Sequence, residues 1–198
     1  MFSKINRCYN KGDMYIVNGN YVGGVAGTVY ANSDIYNVYN LGKIEGDSIG
    51  LCGGIFGEIW SLEDTEYVNI YNVYNAGKII VDATTATGGI GSTATISTAG
   101  GNIRVGNGFN IGNITVKDTT FAAELIFSIN NDQITKKMYY ISRKLLPSLP
   151  NDIDNFIPKT AAEINSQAFV DELNENIKDM PECVKWKLGT NGYPVLDM

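Results

Sequence analysis

The side chains of this 198-residue chain that could do chemistry are carboxylates and aromatic rings, because the chain contains no histidine. It therefore lacks the usual general base at neutral pH, the histidine that activates serine or cysteine nucleophiles, and the commonest metal ligand. Trp60 and Tyr67 accompany the densest group of acids, and they would suit a sugar as stacking platforms. We interpret this group either as a solvated loop between structural units or as a weak Ca²⁺ or sugar contact. Its acids are Glu58, Glu63, Asp64 and Glu66.

The other aspartates do not converge on one position of the sequence pattern. An enzyme that cleaves acidic polysaccharides needs several carboxylates, or a basic residue with Ca²⁺, facing one groove. We instead interpret Asp13, Asp34, Asp47 and Asp82 as scattered over the repeat described below. We therefore expect a protein that is not an enzyme and that needs neither a cofactor nor a metal. A carbohydrate-active or carbohydrate-binding protein is the alternative, and an outward groove with two carboxylates within ~10 Å would favour it.

Composition and charge argue against two classes of partner. The 15 basic and 21 acidic residues give a net charge of −6, which repels a phosphate backbone, so no nucleic-acid partner is expected. No stretch approaches the ~18 consecutive apolar residues of a membrane span, so none is expected. A hydrophobic content of 44% favours a folded chain.

The elements that position these side chains come from a segment that occurs four times. Residues 5–12, 35–42, 70–77 and 105–112 share an apolar start, an aromatic ring and an Asn-x-Gly ending. The asparagines at positions 10, 40, 75 and 110 step by 30, 35 and 35 residues. A fixed period in this range indicates a stacked, quasi-one-dimensional architecture.

The first three units have a second half built on a Gly-Gly pair. The pairs begin at Gly23, Gly53 and Gly88, which is 13 residues after the asparagine in each unit (10 to 23, 40 to 53, 75 to 88). The fourth unit has no Gly-Gly pair. In the third unit, Gly91-Ser92 stand where the second unit has Phe56-Gly57.

An aromatic-Asn-x-Gly segment followed by a Gly-Gly-apolar-x-Gly segment resembles the GLUG-motif repeat family. That family occurs in bacterial adhesins and in the non-catalytic regions of IgA-specific metallopeptidases. The resemblance covers about residues 5–116, and residues 169–196 look like the segment that often closes such arrays. It implies a β-solenoid at a bacterial surface and brings no active-site residues.

The repeat predicts a mainly β chain: a right-handed parallel β-helix (β-solenoid) of about four units with a small α/β C-terminal cap. Each unit should contain three strands, in the second unit around 35–39, 43–45 and 50–59. Equivalent residues would stack about 4.8 Å apart, forming a ladder of asparagine amides and a column of aromatic rings. The glycine of each Asn-x-Gly is expected to adopt a positive φ. A propeller-like stack of hairpins is the alternative. The aromatic column would be Tyr9, Tyr39, Tyr74 and Phe109.

Tyr36 and Tyr71 occupy equivalent positions and are the better candidates for a binding surface. Each follows an isoleucine that is predicted to face the core, so strict alternation points both tyrosines outward. Two stacked, exposed tyrosines would make a ligand-contact strip. The alternative is that alternation breaks at a bend and that both rings are buried.

The repeat fades after Lys117, which divides the chain into three predicted regions. Residues 1–116 are the solenoid repeats, 117–150 the final strands and a loop, and 151–198 the C-terminal cap. The proline-containing loop 146–152 is the clearest boundary. In the cap, Thr160 begins a capping box, a second helix follows with one apolar stripe, and Asn191-Gly192 turns a hairpin.

These patterns favour a non-enzymatic module of a bacterial adhesin-like or secreted protein, acting in adhesion or as a structural spacer. Met1 enters the first repeat at once, without an export signal or a cap, so we expect a piece of a longer extracellular protein. Its expected partners are host or cell-surface proteins or glycans and the other domains of that longer chain. A second copy could also pair with the uncapped first repeat.

Overall fold

The computed structural model describes residues 2–63, 65–96, 101–141 and 154–198, and it shows a mainly β chain with parallel sheets. The strands are β1 (Ser3–Asn10), β2 (Met14–Val17), β3 (Tyr21–Gly23), β4 (Ala26–Val29), β5 (Ser33–Asn40), β6 (Ile44–Gly53), β7 (Phe56–Ser61), β8 (Tyr67–Asn75), β9 (Ile79–Gly88), β10 (Gly91–Ile96), β11 (Asn102–Asn110), β12 (Ile114–Val116), β13 (Ala122–Ala123), β14 (Ile126–Ser128), β15 (Met138–Ile141), β16 (Phe156–Lys159), β17 (Trp186–Leu188) and β18 (Pro194–Leu196). The α-helices are α1 (Ala161–Ile164) and α2 (Gln167–Asn176).

The chain visits three parallel sheets in turn and then returns to the first. The first sheet has the order β1-β5-β8-β11-β15-β16, and the third has the order β14-β10-β7-β4. In the second, β12, β9, β6 and β2 pair in that order, with β3 beside β6 and β13 beside β9. The second and third units contain the predicted three strands, although residues 50–59, predicted as one strand, are divided between β6 and β7, and the first and fourth units contain four strands each. Equivalent residues pair across units, as with Ile35 and Ile70. The described strands pair as antiparallel neighbours at β17 and β18 alone.

Apolar residues of the three sheets face a shared interior, although strict alternation is interrupted in the first sheet, where Ile35 and Val38 lie three residues apart on either side of the left-handed Asn37. In the first sheet, Ile35, Val38 and Val73 belong to the core that also contains Ile59 of the third sheet. A second cluster lies against the second sheet and includes the fully buried Cys52. Cys52 is thus a core residue, whereas Cys8, in the equivalent of the buried Val38 position, is exposed because β1 lies at the edge of the first sheet.

The predicted asparagine ladder is present. Each Nδ2 amide donates to the next Oδ1, with distances of 2.9 Å from Asn10 to Asn40, 2.9 Å from Asn40 to Asn75 and 3.0 Å from Asn75 to Asn110. Each side chain also bonds to the backbone of the glycine two residues later. These hydrogen bonds run along the stack, perpendicular to the strands, and they join successive units.

The predicted aromatic column is also present, and it continues beyond the fourth unit. The ring centroids of Tyr9 and Tyr39 lie 5.0 Å apart, those of Tyr39 and Tyr74 4.8 Å, and those of Tyr74 and Phe109 5.1 Å. Tyr139 of β15 pairs with Phe109, so a fifth strand extends the first sheet. This column lies on the outer face, because the residues next to it in sequence belong to the core.

The glycines act through close approach and not through a positive φ, so the prediction for the Asn-x-Gly turns was wrong. None of these glycines has a positive φ; a Cβ on Gly42 would lie 2.0 Å from the Gly12 carbonyl oxygen. In the Gly-Gly halves, a Cβ on Gly54 would lie 2.1 Å from the carbonyl oxygen of Gly89. The fourth unit has Glu124 at this position, where no further unit of the described chain presses on it.

The left-handed backbone lies instead five residues before each Asn-x-Gly glycine (37 against 42, 72 against 77, 107 against 112), in the middle of the first-sheet strands. Asn37, Asn72 and Asn107 have φ values of 56°, 62° and 50°, a region that asparagine tolerates better than most residues. They form a second amide ladder, in which Asn72 donates to Asn37 at 2.6 Å and Asn107 donates to Asn72 at 2.9 Å. The strand pattern of the sequence does not predict this second ladder.

The C-terminal segment (residues 154–198) lies along the outer face of the first sheet. Its first strand, β16, extends the edge of that sheet. The rings of Phe169 and Trp186 lie 5.7 Å and 5.4 Å from that of Phe109. The Val184 amide donates to the Asn37 side chain at 2.8 Å, so the segment reaches back to the second unit. The predicted cap therefore covers the outer face of the first sheet, and through β16 it also covers β15, the preceding strand of that sheet. An aromatic column that emerges from the sheet is an apolar surface, and the segment covers it.

The local predictions for this segment are confirmed. Thr160 and Glu163 form the capping box of α1, and Ser166 caps α2. The apolar stripe of α2, including Phe169 and Leu173, is buried. Residues 117–150 contain β13, β14 and β15, whereas the predicted boundary loop 146–152 lies outside the described residues. No helix in the described part of the chain is both long and apolar enough to span a membrane.

Candidate functional site

Tyr36 and Tyr71 point away from the core, as alternation predicts, but they do not form an exposed strip. Their rings stack with centroids 5.9 Å apart and planes 20° apart, and the residues are only 8% and 6% exposed. The C-terminal segment lies beside them, since the Asn37 amide donates to the Glu182 carbonyl oxygen at 2.7 Å. Burial raises the pKa of both phenols. The expectation of exposure was therefore wrong, because sequence alternation sets the direction of a side chain and not what packs over it.

The tyrosine column ends where the fourth unit has a glycine. Gly106 pairs with Tyr71, in the position that a third tyrosine would take. A Cβ on Gly106 would lie 2.5 Å from the Cβ of Lys136 and 2.8 Å from its backbone nitrogen. The segment around Lys136 thus occupies the space that the missing side chain leaves. Hydrogen bonds hold it there: Thr135 N donates to Val105 O at 3.0 Å, and Asn107 N donates to Lys137 O at 3.1 Å.

A cleft of about 610 Å³ opens beside this substitution, on the outer side of the first sheet. This volume falls within the range of about 300–1,000 Å³ that is usual for small-molecule sites. Its walls come from β8, β11, the segment before β15 and the turn after α2. The polar side chains that matter for recognition are Tyr71, Arg104, Asp132, Gln133, Lys136 and Asp179.

The cleft combines positive charge with groups that can bind hydroxyls. The Tyr71 hydroxyl shares a short hydrogen bond with Thr135 Oγ1, and the charge of Arg104 acts on the same phenol. Gln133 is 2% exposed; its Oε1 accepts from Asn130 N at 2.8 Å, while its Nε2 has no hydrogen-bond partner among the described residues. A buried donor without a partner costs free energy, so this amide is suited to an incoming acceptor.

Trp60 and Tyr67 are both half-buried, and neither lines the cleft. Trp60 lies in the third sheet, paired with Thr95, whereas Tyr67 begins β8 and its ring centroid lies 6.4 Å from that of Phe2. The structure thus brings Tyr71 into the cleft and places the other two aromatic candidates elsewhere. Tyr36 lies next along the column and does not line the cleft.

The acidic group near Trp60 is divided between a buried side chain and a turn. Glu58 is 5% exposed, accepts a hydrogen bond from Thr93 at 3.5 Å and has an unpaired Oε2. Glu66 accepts from the backbone amides of Leu62 and Glu63 at 2.8 Å and 3.1 Å, which fixes the turn. Asp64 lies outside the described residues.

A shallower groove of about 300 Å³ runs over the outer face of the second sheet. Glu45, Asp47 and Asp82 line it together, so the interpretation that the aspartates are scattered was wrong for Asp47 and Asp82, which occupy equivalent positions after the ladder asparagines (40 to 47, 75 to 82). Two of these acids are partly neutralised, because Lys117 lies 3.1 Å from Asp82 and Lys43 lies 2.5 Å from Glu45. Within the described ranges, no three metal-binding side chains come together as a group. This groove is best explained as a solvated, salt-bridged sheet face.

Sequence reasoning missed Arg104, Gln133 and Lys136. The available signal was the departure of the fourth unit from the pattern, where Val105-Gly106-Asn107 replaces Ile-Tyr-Asn. Comparisons with protein-family models, with curated proteins and with solved structures gave no match to this chain. The resemblance to GLUG-motif repeats therefore stays a prediction, carried by the repeated residues alone.

Proposed function

We propose that this chain is a non-enzymatic β-solenoid module of an extracellular or bacterial cell-surface protein, and that it acts as a spacer. In this proposal, the three parallel sheets are the faces of a right-handed parallel β-helix, and each unit of the repeat is one turn. The cyclic order in which the chain visits the sheets supports it. So does the resemblance of the repeats to the GLUG-motif family.

The observation that carries the proposal is the continuity of the ladders along the stack. The amide ladder through Asn40 and Asn75 and the aromatic column through Tyr39 and Tyr74 both bond each unit to the next. Such nearest-neighbour bonding makes a solenoid whose length is set by the number of its units. A spacer requires exactly this property of length, whereas a hydrolase requires a groove with convergent acids.

Duplication of one unit tests the spacer role. Ser33 pairs with Val68, so repeating residues 33–67 inserts one unit in register with its neighbours. The added unit lies on the N-terminal side, and the contacts of the C-terminal segment with the later units stay as they are. We expect a folded protein with a stronger strand signal in circular dichroism and a urea midpoint no lower than that of the parent.

The matched control is the same insertion with its 35 residues (33–67) in scrambled order. It should lower the urea midpoint, because it lacks the spaced asparagines and glycines. If the duplicated and the scrambled insertions are equally destabilising, the spacer proposal fails. The location is tested separately by treating intact source cells with a protease: digestion of the chain supports surface exposure, and protection contradicts it.

Self-association is a second candidate, because the first unit ends all three sheets. In the described structure β1, β2, β3 and β4 each lie at a sheet edge, and Tyr9 of β1, Tyr15 of β2 and Tyr21 of β3 are 54%, 70% and 47% exposed. Unpaired edges can pair with strands of another chain. Light scattering over a range of protein concentrations measures this directly. A mass that grows with concentration supports pairing, and a constant monomer mass contradicts it.

A further inference from the structure

We propose that the cleft beside Tyr71 binds a saccharide that carries a carboxylate group. This inference goes beyond the spacer role and is tested independently of it. The starting point is Gly106, which interrupts the tyrosine column and lets the segment around Lys136 form a wall. The repeat is thus broken at the one level where a cleft with both cations and hydrogen-bonding groups opens.

The ligand should carry negative charge because the cleft holds two cations that are not paired with an acid in the described part of the chain. Arg104 and Lys136 form no ion pair with any described residue. Arg104 is exposed at the cleft, and a guanidinium binds a carboxylate through two parallel hydrogen bonds. In a chain with a net charge of −6, two unpaired cations in one cleft mark a preference for an anion.

The acids of the cleft decide which kind of anion fits. Asp132 and Asp179 also line the walls and balance the charge of Arg104 and Lys136, so the cleft does not offset the larger desolvation cost of a doubly charged phosphate, whereas a singly charged carboxylate can pair with one cation. Carboxylate oxygens accept hydrogen bonds from hydroxyl groups. A molecule with one carboxylate and several hydroxyls therefore satisfies both the cations and the acids, and an acidic sugar has this combination.

The remaining polar groups complete the site for a sugar. Thr135 supplies a hydroxyl, and Gln133 supplies the buried amide that has no partner in the described structure. A ligand hydroxyl seated against Gln133 would give that amide its missing acceptor. Of the lining residues, Ile103 and Met180 have wholly apolar side chains and most of the others are polar or charged, which argues against a lipid-like ligand.

Titration of the ¹⁵N-labelled protein with D-glucuronate, followed by NMR, tests the proposal. For a ligand of about 13 non-hydrogen atoms, we expect a Kd of about 1 mM. The shifted amides should belong to residues 101–104, 132–136 and 179–180. D-glucose should bind at least tenfold more weakly, because it lacks the carboxylate. Glucose 6-phosphate should bind more weakly than glucuronate, because of the two aspartates.

Charge-neutralising variants locate the binding. Arg104→Gln and Lys136→Gln should each weaken glucuronate binding at least tenfold while leaving the circular dichroism spectrum unchanged. Lys187→Gln is the matched control: this lysine is exposed on the hairpin β17–β18, outside the cleft, and binding should not change. Equal binding of glucose and glucuronate, tighter binding of glucose 6-phosphate, or unchanged binding by Arg104→Gln would each overturn the proposal.

Discussion

Replacing Asn75 by alanine measures what one amide of the ladder contributes to stability. Asn75 is completely buried and makes four hydrogen bonds. Its Nδ2 donates to the oxygens of Gly77 and Asn110, each at 3.0 Å. Its Oδ1 accepts from Gly77 N at 3.1 Å and from Asn40 Nδ2 at 2.9 Å. Alanine removes all four at once and leaves their partners in a site that water does not reach.

The expected loss of stability follows from the number of hydrogen bonds removed. A typical internal hydrogen bond contributes a net ~1 kcal/mol, so four of them suggest about 4 kcal/mol. The neighbouring amides Asn40 and Asn110 keep their bonds to Gly42 and Gly112, so few groups lose every partner. We therefore expect the free energy of unfolding to fall by about 3–4 kcal/mol.

The assay is urea unfolding followed by circular dichroism, with Asn10→Ala as the matched control. Asn10 has the same role in the first unit, but it lies at the edge of the stack, where water can replace its hydrogen bonds. Its replacement should cost only about 1 kcal/mol. If Asn75→Ala and Asn10→Ala differ by less than about 1 kcal/mol, the ladder does not bond the units together as argued.

Three further experiments test other parts of the protein. Gly54→Ala places a Cβ 2.1 Å from a backbone carbonyl of the next unit and should destabilise the protein by more than about 3 kcal/mol in the same urea assay, whereas Gly12→Ala, with its nearest atom at 3.6 Å, should be tolerated. Hydrogen bonds from a lysine and a tyrosine outweigh the effect of burial and hold the pKa of Glu172 below its usual value. The ionised carboxylate therefore stabilises the folded protein above about pH 5, and this stabilisation is lost as the pH falls. We expect Glu172→Gln to lower the free energy of unfolding at pH 7 and to reduce the further loss of stability below about pH 5. Burial raises the pKa of the Cys52 thiol to about 12, so a thiol reagent at pH 8 should label Cys8 and leave Cys52 unmodified until the chain unfolds.

The stacking of the units was predictable because the spacing of the repeated residues sets the register of the strands. Residues that recur every 30 to 35 positions must meet in a parallel ladder, so the pairing of Asn40 with Asn75 and of Tyr39 with Tyr74 needed no knowledge of the fold. The three strands of the second and third units followed from the same spacing. The helices of the C-terminal segment followed from local signals such as the capping box at Thr160.

The position of the C-terminal segment was not predictable, because it depends on contacts between distant residues. The hydrogen bond from Val184 to Asn37 joins residues 147 positions apart, and the local sequence around neither residue indicates the other as its partner. The left-handed backbone at Asn37 was hidden for a related reason. Strand alternation gives no sign of it, and the next glycine along the chain, Gly42, seemed the more natural site for a positive φ.

The proposed binding cleft lies where the repeat is interrupted. A repeated position is fixed by its neighbours above and below, so Tyr36 and Tyr71 serve the stack and are buried by it. Gly106 pairs with Tyr71 but has no side chain, so the tyrosine column ends at this position. The space is then taken by a segment that carries Lys136 and by the exposed Arg104, which no other unit repeats. Departures from a repeat are therefore the positions to examine first for binding.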